Sequence, residues 1–387
     1  MHRFRPSLFR SFWMGGFESA CHINQAGTRL DMLRATQHDR FLVDDFAALR
    51  SMHLDTLRDS VRWHLIEPTP GHYDFSSLDA YITAVNDVGV EVIWDLFHYG
   101  WPDGLDIYSV DFVERFAAFC AAVAAQIRAR VAGVHFYTPV NEISFFSWAA
   151  GTAGWFYPFD TCRAGDVKRQ LVRAWISAVD AIRAVDSEAR FVTVEPLVHA
   201  VAPHGDLDVE GRADAQNASQ WEATEMIVGC QQPELGGAPR YLDILGLNLY
   251  HDHQWDVSNG ESLAWHARPR DSRWIPFNQL VRHAYDRYRR PIIISETSHV
   301  GVGRADWIRE VTDEMVLAMQ QGVPLEGICL YPIMDRFEWN DSNHWHNSGL
   351  WDYALEQDGT LRRVLNEPYA TELRNSQARL EAFWADA

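Results

Sequence analysis

Two carboxylates stand at the ends of short β-branched runs. One run is Tyr137-Thr138-Pro139-Val140-Asn141-Glu142 and the other is Pro291-Ile292-Ile293-Ile294-Ser295-Glu296. A strand whose last residue is ionisable holds that group at the end of its sheet. Two such strands in one barrel set two carboxylates across a shared cavity, which is the equipment for breaking a glycosidic bond. Other polar residues fall at or just past comparable runs: Arg58, His98-Tyr99, Asn248, Tyr250, and the stretch from Asp335 to Trp339 that contains Glu338. A single glutamate at a strand end is commonly a helix cap or a solvated loop residue. Polar groups at so many strand ends are costly to bury without a purpose, and a polyhydroxylated ligand supplies one. Asp106, Asp160 and Glu195 are further loop candidates, Glu195 as either a third rim carboxylate or a salt-bridge partner.

The elements that must position these groups alternate. Apolar and β-branched runs predict strands over 12–17, 55–63, 90–97, 134–140, 190–195, 242–250, 291–295 and 325–333. Between and after them, apolar residues at helical spacing predict helices over 41–53, 78–85, 111–131, 167–185, 219–228, 277–288, 307–320 and 371–383. Eight βα units with no Pro-, Gly- or Ser-rich linker predict one domain over 1–387, a single α/β (β/α)8 TIM barrel. A doubly wound open sheet would need a G-x-G-x-x-G turn after the first strand, and Gly15-Gly16-Phe17-Glu18 does not make one. The long irregular connections, 151–165, 195–217, 251–274 and 334–368, all follow strands. In a barrel they crowd one face, where active sites lie.

Composition narrows the partners. The 387 residues are 47% apolar and 22% charged, a core-building balance. A net charge of −19, from 34 basic and 53 acidic residues, argues against a nucleic-acid partner. The chain carries 16 Trp, 13 Tyr and 20 Phe, and flat rings with polar edges suit stacking on sugars. Five scattered cysteines without a C-x-x-C predict reduced, buried thiols and a cytoplasmic location. The N-terminal 16 residues, interrupted by Arg3, Arg5 and Arg10, do not read as a signal peptide, and no run is long enough to span a membrane. The sequence sets no oligomeric state.

Several segments, in order along nearly the whole chain, resemble glycoside hydrolase family 1, the β-glucosidase-like branch of the (β/α)8 retaining glycosidases. They are Leu57-Arg58-Asp59-Ser60-Val61-Arg62-Trp63, Leu96-Phe97-His98-Tyr99-Gly100-Trp101-Pro102, Thr138-Pro139-Val140-Asn141-Glu142, Leu245-Gly246-Leu247-Asn248-Leu249-Tyr250 and Ile294-Ser295-Glu296-Thr297. The stretch from Gly327 to Trp339 and Ser348-Gly349-Leu350-Trp351 complete the set. The resemblance implies a two-step retaining mechanism with no cofactor and no metal, acting on a carbohydrate or glycoside. Glu296 would be the nucleophile and Glu142 the acid/base, with the higher pKa on Glu142. It also implies that Arg58 and Tyr250 donate to Glu296 and that Asn141 holds the sugar 2-hydroxyl. Asn248 belongs to the same rim, and His98, Glu338 and the stacking face of Trp339 would hold the remaining hydroxyls.

The chain departs from the family pattern at several positions. Ile143 replaces a proline after Glu142, Thr297-Ser298 follow Glu296, and Tyr99 and Tyr331 stand where tryptophans are usual. The sugar-binding residue of the first strand would fall between Cys21 and Gln25. Two other functions compete. A transglycosidase or sugar-binding barrel needs only a changed pocket. A metal-dependent barrel hydrolase would draw on His251, His253, His344, His346, His98, His199 or His299.

Overall fold

Eight parallel strands close into a barrel: β1 (Trp13–Gly16), β2 (Thr56–Ser60), β3 (Glu91–Asp95), β4 (Phe136–Thr138), β5 (Arg190–Pro196), β6 (Ile244–Asn248), β7 (Ile292–Thr297) and β8 (Leu325–Leu330). The computed structural model describes residues 5–385, so Arg3 of the arginine-bearing N-terminal segment lies outside the described residues. β1 pairs with both β2 and β8, and this pairing closes the ring. The principal helices are α1 (Leu42–Ser51), α2 (Ser76–Val88), α3 (Val110–Arg130), α4 (Ala164–Val185), α5 (Glu222–Ile227), α6 (Phe277–Tyr288), α7 (Arg304–Gln320) and α8 (Glu367–Ala385). This is a (β/α)8 TIM barrel.

α3 illustrates why the helices form. The Ser109 side chain accepts from the Phe112 amide and caps the first turn. Phe112, Phe116, Phe119, Cys120, Val123 and Ile127 then recur at helical spacing and are fully buried against the barrel. Inside the ring a separate cluster fills the axis, with Met14, Ile93, Phe136, Val192, Ile293 and Cys329 as inward residues of their strands. Leu8 and Phe9 pack against it, the Phe9 ring tilted 4.5 Å from Phe136. These side chains fill the barrel axis below the strand ends.

Several sequence expectations shift. The second strand stops at Ser60, because Arg62 leads into a short helix, Trp63–Ile66. The connection 195–217 contains most of a helix, Leu207–Ser219, and the predicted helix 219–228 shrinks to α5. The connection 334–368 folds into two hairpins, Phe337–Glu338 with Asp341–Trp345 and Trp351–Leu355 with Leu361–Leu365. Cys21, Cys120 and Cys329 are buried as expected, whereas Cys162 and Cys230 are exposed; all five thiols are free. No helix among the described residues is long and apolar enough to cross a membrane.

Candidate active site

A cavity of about 890 Å³ opens above the barrel at the C-terminal ends of the strands. Glu142 and Glu296 both line it. Each is aimed by a local break in regular structure.

Glu296 owes its direction to a bulge. Leu247 of β6 pairs with Ile294, but the next residue, Asn248, pairs with Glu296. β8 registers the same extra residue, with Ile328 opposite Ile294 and Leu330 opposite Thr297. Strict alternation from inward Ile293 would turn Glu296 outward and Thr297 inward. Instead Thr297 faces the helices, its Oγ1 accepting from Trp307 Nε1 of α7 at 2.9 Å. Glu296 is thereby turned into the cavity, as bulges commonly re-aim a side chain.

Glu142 follows β4 and sits at the start of a short helix, Ile143–Gly151, with φ +44°. The left-handed region is uncommon for a residue with a side chain and costs free energy. Its backbone is pinned on both sides. The Asn141 amide donates to Phe97 O at 2.9 Å, and the Glu142 amide donates to Val194 O at 3.0 Å. Tyr99, with φ +73°, is the second left-handed residue at this rim.

The two carboxylates have different surroundings. One oxygen of Glu296 accepts from Arg58 Nη1 and the other from the Tyr250 hydroxyl at 2.7 Å. Arg58 is fully buried and also grips Asp95 with two nitrogens, at 3.1 and 2.7 Å, while its Nη2 donates to Asn141 Oδ1. A single guanidinium therefore ties together β2, β3, the end of β4 and β7. Glu142 Oε2 accepts from the Tyr99 hydroxyl at 2.6 Å, and Oε1 accepts from Asn248 Nδ2 at 2.7 Å. Burial, and then the charge of Glu296, push the Glu142 carboxyl up to about 8 despite those two donors.

The remaining polar groups form the walls. His98 lies 3.2 Å from Asp95 through Nδ1, and its Nε2 is 3.3 Å from both Asn141 Nδ2 and the Tyr331 hydroxyl. The Tyr331 ring runs parallel to His98 and under the Arg58 guanidinium. Gly16 makes room for it, since a Cβ there would stand 2.3 Å from the Tyr331 ring. Trp339 closes the opposite side, edge-on to Tyr99 and Phe156. Glu195 also lies at the rim, but its carboxylate accepts from the Ser144 amide at 3.1 Å and caps the helix that follows Glu142. Burial raises the Glu195 carboxyl to about 7, against the pull of Ser144.

Of the residues expected from sequence, His98, Tyr99, Asn141, Glu142, Tyr250, Glu296, Tyr331 and Trp339 line the cavity. Arg58 and Asn248 lie just beneath, bonded to Glu296 and Glu142. Glu338 does not reach it. Its side chain is 46% exposed on the outer edge of a hairpin, 3.8 Å from Arg336 and 3.9 Å from His346. Asp106 and Asp160 also lie outside the lining and bond Tyr108 instead. The first strand contributes Glu18, upstream of the segment expected. Cys21 and His22 are buried, His22 stacked on Phe156 and edge-on to the lining ring of Trp339, and the Gln25 side chain donates to Gly154 O at the surface. Glu18, Arg336 and Lys168 are among the lining residues that sequence reasoning did not assign to the site. A carboxylate two residues past a strand end was the available signal for Glu18. Among the described residues no group of three or more His, Cys, Asp or Glu is placed to hold a metal ion.

Two kinds of likeness to known proteins accompany this geometry. A family model for glycoside hydrolase 42, described as Beta-galactosidase, matches residues 36–96, from before α1 through β3. The fold is similar to a β-glucosidase from Thermotoga maritima in complex with noeuromycin, with a TM-score of 0.77 and 17% identity over 97% of this chain and 99% of that one. A second structure, the family 1 β-glucosidase from Thermotoga maritima, gives 0.74 at 16% identity, covering 97% and 98%. No curated protein matches the chain in sequence.

Proposed function

We propose that the protein is a retaining β-glycosidase of the family 1 type. The observation that carries this reading is the pair of cavity carboxylates with opposite settings. Glu296 is clasped by an arginine and a tyrosine, and Glu142 is held in the range of a general acid by burial and by Glu296 itself. The β-galactosidase family model and the β-glucosidase folds point to the same class of bond.

In the first step a Glu296 oxygen attacks the anomeric carbon while the bond to the leaving oxygen breaks. The Glu142 proton passes to that oxygen, giving a free alcohol and a glycosyl ester on Glu296. In the second step the Glu142 carboxylate takes a proton from water, whose oxygen attacks the same carbon and releases Glu296. Asn248 can only donate to Oε1, so Oε2 is the oxygen left to carry the transferable proton. Arg58 and Tyr250 orient the nucleophile, and Asn141, held through its Oδ1 by Arg58, is the amide we assign to the sugar 2-hydroxyl.

Hydrolysis of aryl β-glycosides by Glu296→Ala and Glu142→Ala tests the assignment. Glu296→Ala is expected to lose turnover and regain part of it with azide, yielding a glycosyl azide of inverted configuration. Glu142→Ala is expected to cripple substrates with poor leaving groups far more than activated aryl glycosides. Full activity in both variants would overturn the reading.

A further inference from the structure

The bulge that turns Glu296 into the cavity also places a hydroxyl that has no part in the mechanism above. Leu247 and Asn248 of β6 pair with Ile294 and Glu296 of β7, so Ser295 is the extra residue between them. Its side chain has no exposed surface, and its Oγ donates to Asn248 Oδ1 at 2.7 Å. The other end of the same amide, Nδ2, donates to Glu142 Oε1 at 2.7 Å. Gly246 of β6 makes room for this approach, since a Cβ there would stand 2.9 Å from Ser295 Oγ and 3.0 Å from Ser295 Cβ. Arg58 Nη1, which bonds Glu296, also lies 3.4 Å from the Ser295 carbonyl oxygen and holds the bulged backbone.

Resting on the retaining-glycosidase reading, we propose that Ser295 is a positioning residue for the acid/base, locking the Asn248 amide so that the transferable proton of Glu142 stays on Oε2. A primary amide can face a carboxyl group with either end. With Nδ2 toward Glu142, the contacted oxygen only accepts, and the proton belongs to the other one. With Oδ1 toward Glu142, the contacted oxygen can carry the proton and hold it against the amide. Ser295 selects the first arrangement. Asn248 Oδ1 is the one acceptor of its hydroxyl among the described residues. A turned amide would meet that hydroxyl with Nδ2 and leave its proton buried without an acceptor, which is costly. The adjacent residues Ser295 and Glu296 thus set both carboxylates: Glu296 directly, and Glu142 through Asn248.

The test is the pH profile of kcat/KM for wild type, Ser295→Ala, Asn248→Ala and the double variant, on dinitrophenyl and alkyl β-glycosides of one sugar. The titratable groups that face Glu142, namely Tyr99, Glu195, Tyr250 and Glu296, are the same in all four proteins. Ser295→Ala frees the amide to turn, and the ionised carboxylate then loses a donor. Its basic limb is expected to rise by roughly half a pH unit or more. Alkyl glycosides are expected to lose about tenfold, because their leaving group needs the proton from Oε2, and dinitrophenyl glycosides far less. Asn248→Ala is expected to raise the limb in the same direction, and adding Ser295→Ala to it is expected to move nothing further. Ser295→Cys, a weaker donor of similar shape, makes the same comparison where the alanine variant fails to fold. An unmoved limb, equal losses on the two leaving groups, or additive effects in the double variant would overturn the proposal while Glu296-dependent turnover kept the glycosidase reading. Absence of any Glu296-dependent turnover would overturn both.

Discussion

The Tyr99 hydroxyl donates to Oε2 of Glu142 at 2.6 Å while accepting from Asn141 Nδ2 at 2.9 Å. One phenol thus links the Asn141 amide to the Glu142 oxygen proposed to carry the transferable proton. Tyr99, expected to bind sugar, is bonded to the proposed acid/base itself.

Removing that hydroxyl has a defined sign. The Tyr99 hydrogen bond favours the ionised form of Glu142 and opposes the upward push of burial and Glu296. Tyr99→Phe is expected to raise the basic limb of the kcat/KM profile, which reports loss of the Glu142 proton, by roughly one pH unit. In wild type that limb is expected to fall as pH rises through about 8. A profile of aryl glycoside hydrolysis from pH 5 to about 10 measures both. An unmoved limb in Tyr99→Phe would remove Tyr99 from this role.

Glu195 is expected to act in the opposite direction. Its charge raises Glu142, and its carboxylate caps the helix Ile143–Gly151 through the Ser144 amide. Glu195→Ala should lower the basic limb and cost about 1 kcal/mol of stability, the usual loss of a helix cap. Denaturant unfolding beside the pH profile separates the two effects.

Arg58 serves Asp95, Asn141 and Glu296 at once from a site with no exposed surface. Arg58→Met leaves two carboxylates buried without their cation. A stability loss of about 3–5 kcal/mol is expected from breaking such a cluster, together with a fall in kcat of roughly a hundredfold or more from the misdirected nucleophile. Arg58→Lys restores charge without the fork and should recover stability more than rate. Equal recovery of both would show that charge alone suffices.

A pH-dependent stability term is built behind β2. His38 is buried with Nδ1 2.7 Å from Asp45 and Nε2 2.9 Å from Asp59, and Asp45 is also held by Arg363. Burial disfavours the imidazolium, but Asp59 and Asp45 outweigh it and carry His38 up to about 9. A folded pKa above the unfolded one stabilises fully below about 6.5, and that contribution is lost as pH rises through 9. It amounts to about 3 kcal/mol at most, at about 1.4 kcal/mol per unit. The stability difference between wild type and His38→Gln should shrink between pH 6.5 and about 9. A constant difference would mean that His38 does not change protonation on unfolding.

The barrel was legible because its strands are continuous apolar runs and its helices keep their period. The strands β1 to β8 all fall within or beside their predicted spans. What escaped was local geometry. Alternation cannot announce the bulge that turns Glu296 inward, because the extra residue is visible only against Asn248 and Leu330 on the neighbouring strands. Resemblance places Glu338 at the sugar, but the chain past β8 folds into a hairpin in which Glu338 is 46% exposed while Arg336 lines the cavity. The resemblance points past Glu18 to Cys21 through Gln25, where His22 packs into the aromatic wall.

The central claim is that Glu296 carries the sugar between the two steps. A 2-deoxy-2-fluoro glycosyl fluoride forms the ester but hydrolyses it slowly, so intact-mass and peptide mass spectrometry of the inactivated protein read the attachment site directly. One added fluorosugar on the peptide containing Glu296, absent in Glu296→Ala and lost as activity returns, is the predicted result. Label on another residue, or steady turnover of this substrate with no label, would contradict the account.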